Sequence, residues 1–401
     1  MSALQTNNQP TTQTPGSASL STPIVSLLDH PDAYVYEPVP GSGRRLVMIP
    51  RAEFSFSEFC ARTPSRSVAL DGFVKGGAAQ NLQSLHFNYD HHAGCRRDIT
   101  ICTAQQIATA QSQGLMELLC ENDMTDFYVC KNDNDCDATG ASFQLMYPEL
   151  CNSVLFRRLL NGFIAPLDIS AGTSGPDIHQ DLMRQGTWIF EPYFRELSNI
   201  YTMNGQQLVS LTLEMYGRIK DYLLSKGHLG TIECQMTELG RGDGWMMIQE
   251  HGALSRLKAL QSNPTVKALV VYKAQTENSY RYSTVKRNQL TLFPLELFTE
   301  ALNRAEFFVE RNNLESLADE ITETADKQSP VWRALASIDL PSDWTKPWGG
   351  GDAVIGCLRT KGSSITPDIM QAFTNAFMRE LATKAYKVGC YSLTEPLIEV
   401  N

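Results

Sequence analysis

The stretch DFYVCKNDNDCDATGASFQLMY, residues 126–147, decides how the chain is read. DFYVC (126–130) has the length and the aromatic and β-branched content of a buried strand. It runs into an acidic turn, and DATGASFQLMY (137–147) then takes helical spacing. Working outward, RRLVMI (44–49), SVAL (67–70) and SLHFNY (84–89) read as further short strands. AQQIATAQSQGLMELL (104–119) and SVLFRRLLNGFIAPL (153–167) place apolar residues at helical intervals. Strands alternating with helices predict an α/β fold, a parallel sheet with helices on both faces.

The texture changes beyond residue 205. LVSLTLEMYGRIKDYLLSKG (208–227) reads as a long amphipathic helix, followed by strands at TIECQM (231–236), ALVVYK (268–273) and SYRYSTVK (279–286) and a helix over 293–305. The last two strands form a pair joined by a polar turn. A length of 401 residues exceeds one ordinary core. The expectation is therefore a first domain at 23–205 and a smaller α/β domain at 206–401. Residues 1–22, rich in Thr, Gln, Asn, Ser and Pro, cannot bury apolar surface and read as a disordered tail.

The net charge of −10 disfavours long nucleic acid, whose backbone demands clustered Lys and Arg. No run of eighteen apolar residues is present to span a membrane. The ten cysteines include no CxxC pair, and the first residues lack an apolar signal core, so reduced thiols in a cytoplasmic protein are expected.

Chemistry concentrates at the predicted strand ends. HFNYDHHAG (86–94) finishes a strand with Asp90, His91 and His92, where a turning backbone can bring two of the three to one point. Open α/β sheets bind ligands just beyond such ends. An isolated triplet could equally be a solvated turn with one packed histidine. Its companions argue otherwise. Asp71 follows SVAL, Asp133, Asp135 and Asp137 follow DFYVC, and Asp168 ends FIAPLDIS. Oxygen donors with some imidazole suit Mn2+ or Mg2+. Two such ions about 3.5–4 Å apart can activate a water and hold a phosphoryl oxygen. A calcium loop is excluded, because Ala138 and Gln144 stand where that loop requires Gly and Glu. One of the acids could simply cap the helix that follows; three exceed what a cap requires.

LDGFVKGG…HFNYDHHAG resembles the second and third motifs of the DHH phosphoesterase superfamily, in the branch that reads D-x-GG followed by FDHH. That superfamily includes nucleases, oligoribonucleases, cyclic-dinucleotide phosphodiesterases, family II inorganic pyrophosphatases and exopolyphosphatases. The resemblance implies a hydrolase of phosphoesters or phosphoanhydrides with two Mn2+ ions. It implies a bridging role for Asp71, metal-facing positions for Asp90 and His91, a phosphate contact for His92, and a fourth-motif ligand in Asp168.

One motif is displaced. The family's first motif, H-x-x-x-D-x-D-A-x-G-S after a strand, normally precedes the others, and nothing before Asp71 fits it. The best match is FYVCKNDNDCDATGAS, with Asp135 and Asp137 at the two motif aspartates and Lys131 where the histidine belongs. Either the motif order is permuted or one metal site is degenerate, with Asp133 a substitute oxygen ligand. Alternatively, DATGASFQLMYPEL is only the helix that normally follows DHH.

In the second half, PWGGGDAVIGCL resembles the family's C-terminal GGGH motif, which implies substrate contacts at Gly349, Gly350 and Gly351. Asp352 replaces the histidine, and an anion there would repel phosphate; a plain tight turn is the alternative. Arg281, with Lys286 and Arg287, offers further phosphate contacts in a strand resembling the family's substrate strand, or else a solvated face. Trp344 and Trp348 could stack on a base or pack internally. His86 and the PDIHQDL segment (176–182) read as a packed histidine and a capped helix start. Cys136, among carboxylates that raise its pKa, is a poor nucleophile.

These readings combine into an expected two-metal hydrolase of a small or short nucleotide-like phosphorylated substrate. A homodimer is compatible with it. The rival expectation is a divergent member of the scaffold that binds a phosphorylated ligand or partner without hydrolysis, or carries out other metal-dependent chemistry.

Overall fold

The structure is a computed structural model. It describes residues 26–383 except 93–94, 96–98, 122–124, 198, 231–235, 253, 277–278, 289–290, 292, 327–334, 336–337, 352 and 358–361. The expected tail, most of TIECQM and Asp352 lie outside the described residues.

The first six strands are β1 (Tyr34–Tyr36), β2 (Arg44–Met48), β3 (Ser67–Leu70), β4 (Ala79–Asn81), β5 (His86–Tyr89) and β6 (Phe127–Lys131). They form one sheet in the order β1-β2-β6-β3-β5-β4. The inner four run parallel, and β1 and β4 pair antiparallel at the two edges. All four residues of β3 are buried, as a strand covered on both faces requires. Leu70 pairs with Tyr89 and Ala69 with Cys130, so β6, β3 and β5 end almost level. This register places Asp71, Asp90 and the acidic turn after Lys131 along one edge.

The helices of this half are α1 (Phe56–Arg62), α2 (Thr103–Ser112), α3 (Leu115–Leu119), α4 (Cys136–Met146), α5 (Pro148–Cys151), α6 (Val154–Leu159), α7 (Ala165–Ile169), α8 (Asp181–Arg195) and α9 (Gly205–Leu223). Gly114, at φ +94°, splits the run expected as one helix over 104–119. The expected helix over 153–167 is interrupted by a π turn at Leu160–Ile164. One face of the sheet packs Leu46, Val68, Leu70, Phe127 and Val129 against α2, α4, α6 and α9. The other packs Val47, Ala69 and Cys130 under Phe59 of α1 and Phe73.

A second sheet holds β7 (Met236–Gly242), β8 (Trp245–Glu250), β9 (Ala268–Thr276), β10 (Ser279–Lys286), β11 (Trp348–Gly350) and β12 (Val354–Cys357). Its order is β11-β12-β10-β9-β8-β7, antiparallel except for the β8–β9 pair. That pair is linked by α10 (Ser255–Ser262), which covers one face with Ala259 and Leu260. The other face packs Trp245, Val270 and Tyr282 against α11 (Leu295–Arg311), α12 (Leu314–Asp326) and α13 (Pro367–Thr383). The chain is thus an α/β protein built on two six-stranded sheets.

The domain boundary expected at 205/206 needs correction. The helix α9 starts there, capped reciprocally by Asn204 and Gln207, and buries Leu208, Met215, Tyr216 and Ile219 in the first core. It belongs to the first half. Amphipathicity showed that the helix had a buried face, not which sheet the face would meet. Among the described residues no helix is long and apolar enough to cross a membrane.

Candidate metal centre

Three adjacent parallel strands deliver the candidate side chains. After β3 the chain turns at Asp71, which takes the left-handed conformation at φ +54° and donates its N–H to the Tyr89 carbonyl at 3.0 Å. A non-glycine residue in that region carries local strain, although Asp tolerates it better than most. The Asp71 Oδ1 accepts the Thr103 hydroxyl at 3.0 Å. Burial, with Asp137 and Asp168 nearby, raises its pKa to about 6 against the pull of His92.

After β5, Asp90 organises the next turn. Its Oδ1 accepts the N–H groups of His91 at 2.8 Å and His92 at 3.1 Å, and lies 2.8 Å from His92 Nδ1. The other oxygen is buried and has no hydrogen-bond partner among the described residues. The two histidines then diverge. His91 is fully buried, whereas the His92 side chain is 37% exposed.

The His91 Nε2 is the meeting point. It lies 2.9 Å from Asp168 Oδ2, 3.7 Å from Asp71 Oδ1 and 3.7 Å from Asp137 Oδ2. Among the described residues neither ring nitrogen has an aligned hydrogen-bond partner. Burial opposes charge on this ring, but Asp168 and then Asp71 hold its pKa above the usual value. Asp168 comes from α7 and Asp137 from the first turn of α4. Asp137 is fully buried and accepts the backbone N–H groups of Thr103 at 2.7 Å and Ala104 at 2.8 Å. It thereby satisfies two otherwise unpaired donors at the start of α2. Burial, then Asp168, raises Asp137 to about 7.

The turn after β6 is anchored from both sides. The Asn134 Oδ1 accepts the Thr212 hydroxyl of α9 at 2.8 Å, and the Asn132 amide reaches the Ala52 carbonyl at 2.6 Å. Asp135 caps α4 by accepting the Ala138 N–H at 2.8 Å. Burial and the adjacent Asp71 and Asp133 push its pKa well up. Lys131 closes β6. It is fully buried, its ammonium group has no hydrogen-bond partner among the described residues, and burial brings its pKa down to about 7 against the pull of Asp135, Asp133 and Asp71.

Among the described residues, two sets of side chains bring ligand atoms within 4.8 Å of one another: Asp71, His91 and His92, and His91, Asp137 and Asp168. The fit to a divalent ion is direct. Oxygen ligands at ~2.0–2.1 Å from an octahedral ion stand roughly 3 Å apart when adjacent and about 4 Å when opposite, the range found around His91 Nε2.

Comparison with protein-family models, curated proteins and solved structures finds no match to the chain.

Of the residues singled out in the sequence, Asp71, His91, Asp137 and Asp168 come together, with His92 at the rim. Asp90 and Asp135 stand outside both ligand sets, one holding the histidine turn and the other capping α4. The run Gly349–Gly351 forms the β11–β12 hairpin of the second sheet, where Gly350 adopts φ +141° and Gly351 N–H bonds Val354. Arg281 lies on β10 at a bulge. Arg287 is not available for phosphate, since its guanidinium is engaged by the carbonyls of Val266, Leu260 and Asn263. Trp348 is a core residue stacked on Tyr282 and bonded to Glu306. His86 packs edge-on against Phe59 and bonds Ser84 and Thr63. Asp177 caps its own turn ahead of α8.

Two features went unread. Thr103 supplies a hydroxyl to Asp71 and an N–H to Asp137; only its place at the start of a helical run marked it. Arg256 of α10 clamps Glu250 at 2.7 Å, the Ser283 hydroxyl of β10 at 3.3 Å and the Ala171 carbonyl at 3.0 Å. It ties the second sheet to the loop just beyond Asp168.

Proposed function

We propose that the chain is a metal-dependent phosphohydrolase of the DHH type, acting on a phosphodiester or phosphoanhydride of a small or short nucleotide-like substrate. The observation that carries the reading is the convergence of Asp71, Asp137 and Asp168 on one buried nitrogen of His91, from four separate segments. The order of strands adds support. The strand with the Asp135–Asp137 turn, the strand before Asp71 and the strand before Asp90–His92 lie side by side as β6, β3 and β5. The displaced first motif thus stands next to the second in space, which favours permutation over loss.

A divalent ion at such a site lowers the pKa of a bound water and polarises a phosphoryl oxygen. Asp71, His91, Asp137 and Asp168 would hold it. Thr103 fixes the rotamer of Asp71 and, with Ala104, that of Asp137, so the carboxylates are preorganised. His92, oriented by Asp90 and partly exposed, is placed to hydrogen-bond a substrate phosphate and stabilise charge that develops on it. The net charge of −10 favours a short substrate over long DNA.

The test is hydrolysis of the dinucleotide pApA by metal-stripped and Mn2+-reconstituted protein. The proposal expects turnover that requires the metal and is lost in Asp137→Asn. Stoichiometric Mn2+ binding without hydrolysis of pApA, pyrophosphate or a model diester contradicts it and selects the non-hydrolytic reading.

A further inference from the structure

We propose that Lys131 takes the place of a second cation, so that the chain binds one divalent ion, on the His91 side of the centre. This rests on the metal-dependent reading above and narrows it from two ions to one.

Three observations lead there. The first is the sharing of His91. Both sets of side chains able to hold an ion include this residue. The atom concerned is the same Nε2, since it is this nitrogen that faces Asp71, Asp137 and Asp168. A ring nitrogen has one lone pair and can bind one ion. The two sets are therefore alternatives for a single ion.

The second is the position of Lys131. Along β6, Phe127, Val129 and Lys131 point to one face, and Phe127 and Val129 lie in the first core. Lys131 is thus directed inward beneath the helices and is 0% exposed. A buried ammonium group without a hydrogen bond costs several kcal/mol unless charge compensates it. The turn with Asp133 and Asp135 follows it directly, Asp71 follows the neighbouring strand, where Ala69 pairs with Cys130, and these three carboxylates act on its charge.

The third is a division of labour among the acids. Asp71 acts on the charge of Lys131 and also lies 3.7 Å from His91 Nε2. Asp135 is engaged at the α4 cap and belongs to neither ligand set, while Asp137 and Asp168 face His91. The charge of Asp71 and Asp135 that a second ion would neutralise is already opposed by the buried lysine. Lysine offers no lone pair while protonated, so it opposes a second ion by charge.

The experiment uses the full chain, stripped of metal and titrated with Mn2+. Bound metal is counted by elemental analysis after gel filtration, and the spectrum is read by electron paramagnetic resonance. The wild type is expected to bind one Mn2+ with the six-line signal of an isolated ion. Lys131→His, which exchanges the ammonium group for a neutral donor, is expected to bind two, with the broadened multiline signal of an exchange-coupled pair. Two coupled ions in the wild type overturn the inference and leave the metal-dependent reading standing. One ion in both wild type and Lys131→His also overturns it, since Lys131 would then not be what limits the number. No bound ion in the wild type overturns both. Should Lys131→His fail to fold, the wild-type count and spectrum still decide between one ion and two.

Discussion

His91 Nε2 and Asp168 Oδ2 lie 2.9 Å apart, one at the end of β5 and the other in α7. Neither chain position is close to the other in sequence, and the contact is shielded from solvent. A buried His–Asp pair that also faces Asp71 and Asp137 has an excess of negative charge, which a divalent ion would neutralise.

Removing either partner should therefore weaken the ion more than it weakens the fold. Asp168→Asn and His91→Ala are each expected to lower Mn2+ affinity by at least about 100-fold, beyond what loss of an outer partner causes. Isothermal titration calorimetry on the metal-stripped protein measures this. Unchanged affinity in both variants would place the ion elsewhere.

Thr103→Val removes the hydroxyl that holds Asp71 and keeps the shape of the side chain. The expected outcome is a loss of roughly 10-fold in Mn2+ affinity and of about 1–2 kcal/mol in stability. Urea unfolding with and without Mn2+ separates the two. A stability loss with metal affinity intact would make Thr103 merely structural.

The carboxyl groups predict a pH dependence with a definite sign. Asp71 and Asp137 are raised to about 6 and about 7 from 3.8. Between the unfolded and folded values the native, metal-free protein binds more protons than the unfolded chain, so their contribution to stability is full below about pH 4 and is lost by about pH 7. Mn2+ needs them ionised and reverses the trend. The rise in Tm on adding Mn2+ should grow from pH 5 to pH 7, and should do so less steeply in Asp137→Asn. Lys131 is shifted in the opposite sense, but its window lies above about pH 7. A rise in Tm independent of pH contradicts the assignment.

His92 is assigned to the substrate rather than to the ion. Its ring is partly exposed and is held through Nδ1 by Asp90. His92→Gln is expected to lower kcat by on the order of 100-fold with the Mn2+ count unchanged. Loss of the metal in this variant would move His92 into the ligand set with Asp71.

Much of the first sheet was legible because its strands are short apolar runs closed by acids or turn residues. SVAL over 67–70 is a strand as read, and the strand read at 126–130 runs one residue later, Phe127–Lys131. The four converging residues were also legible, since Asp71, His91, Asp137 and Asp168 each follow or end an element. Strands with weak patterns were not. In β4 the residues Ala79–Asn81 carry no alternation, and β11 is made of Trp and two glycines, so their pairing comes from the sheet rather than from propensity. Sequence could not separate ligands from their supports either. Asp90 and Asp135 have the chemistry of ligands, and only coordinates show their oxygens accepting backbone N–H groups instead.

The most direct test is a crystal of the protein soaked with Mn2+ and measured at an energy where manganese scatters anomalously. The account predicts a peak bounded by Asp71, His91, Asp137 and Asp168. A map without a peak there at saturating Mn2+, with His91 still paired to Asp168 alone, would contradict it.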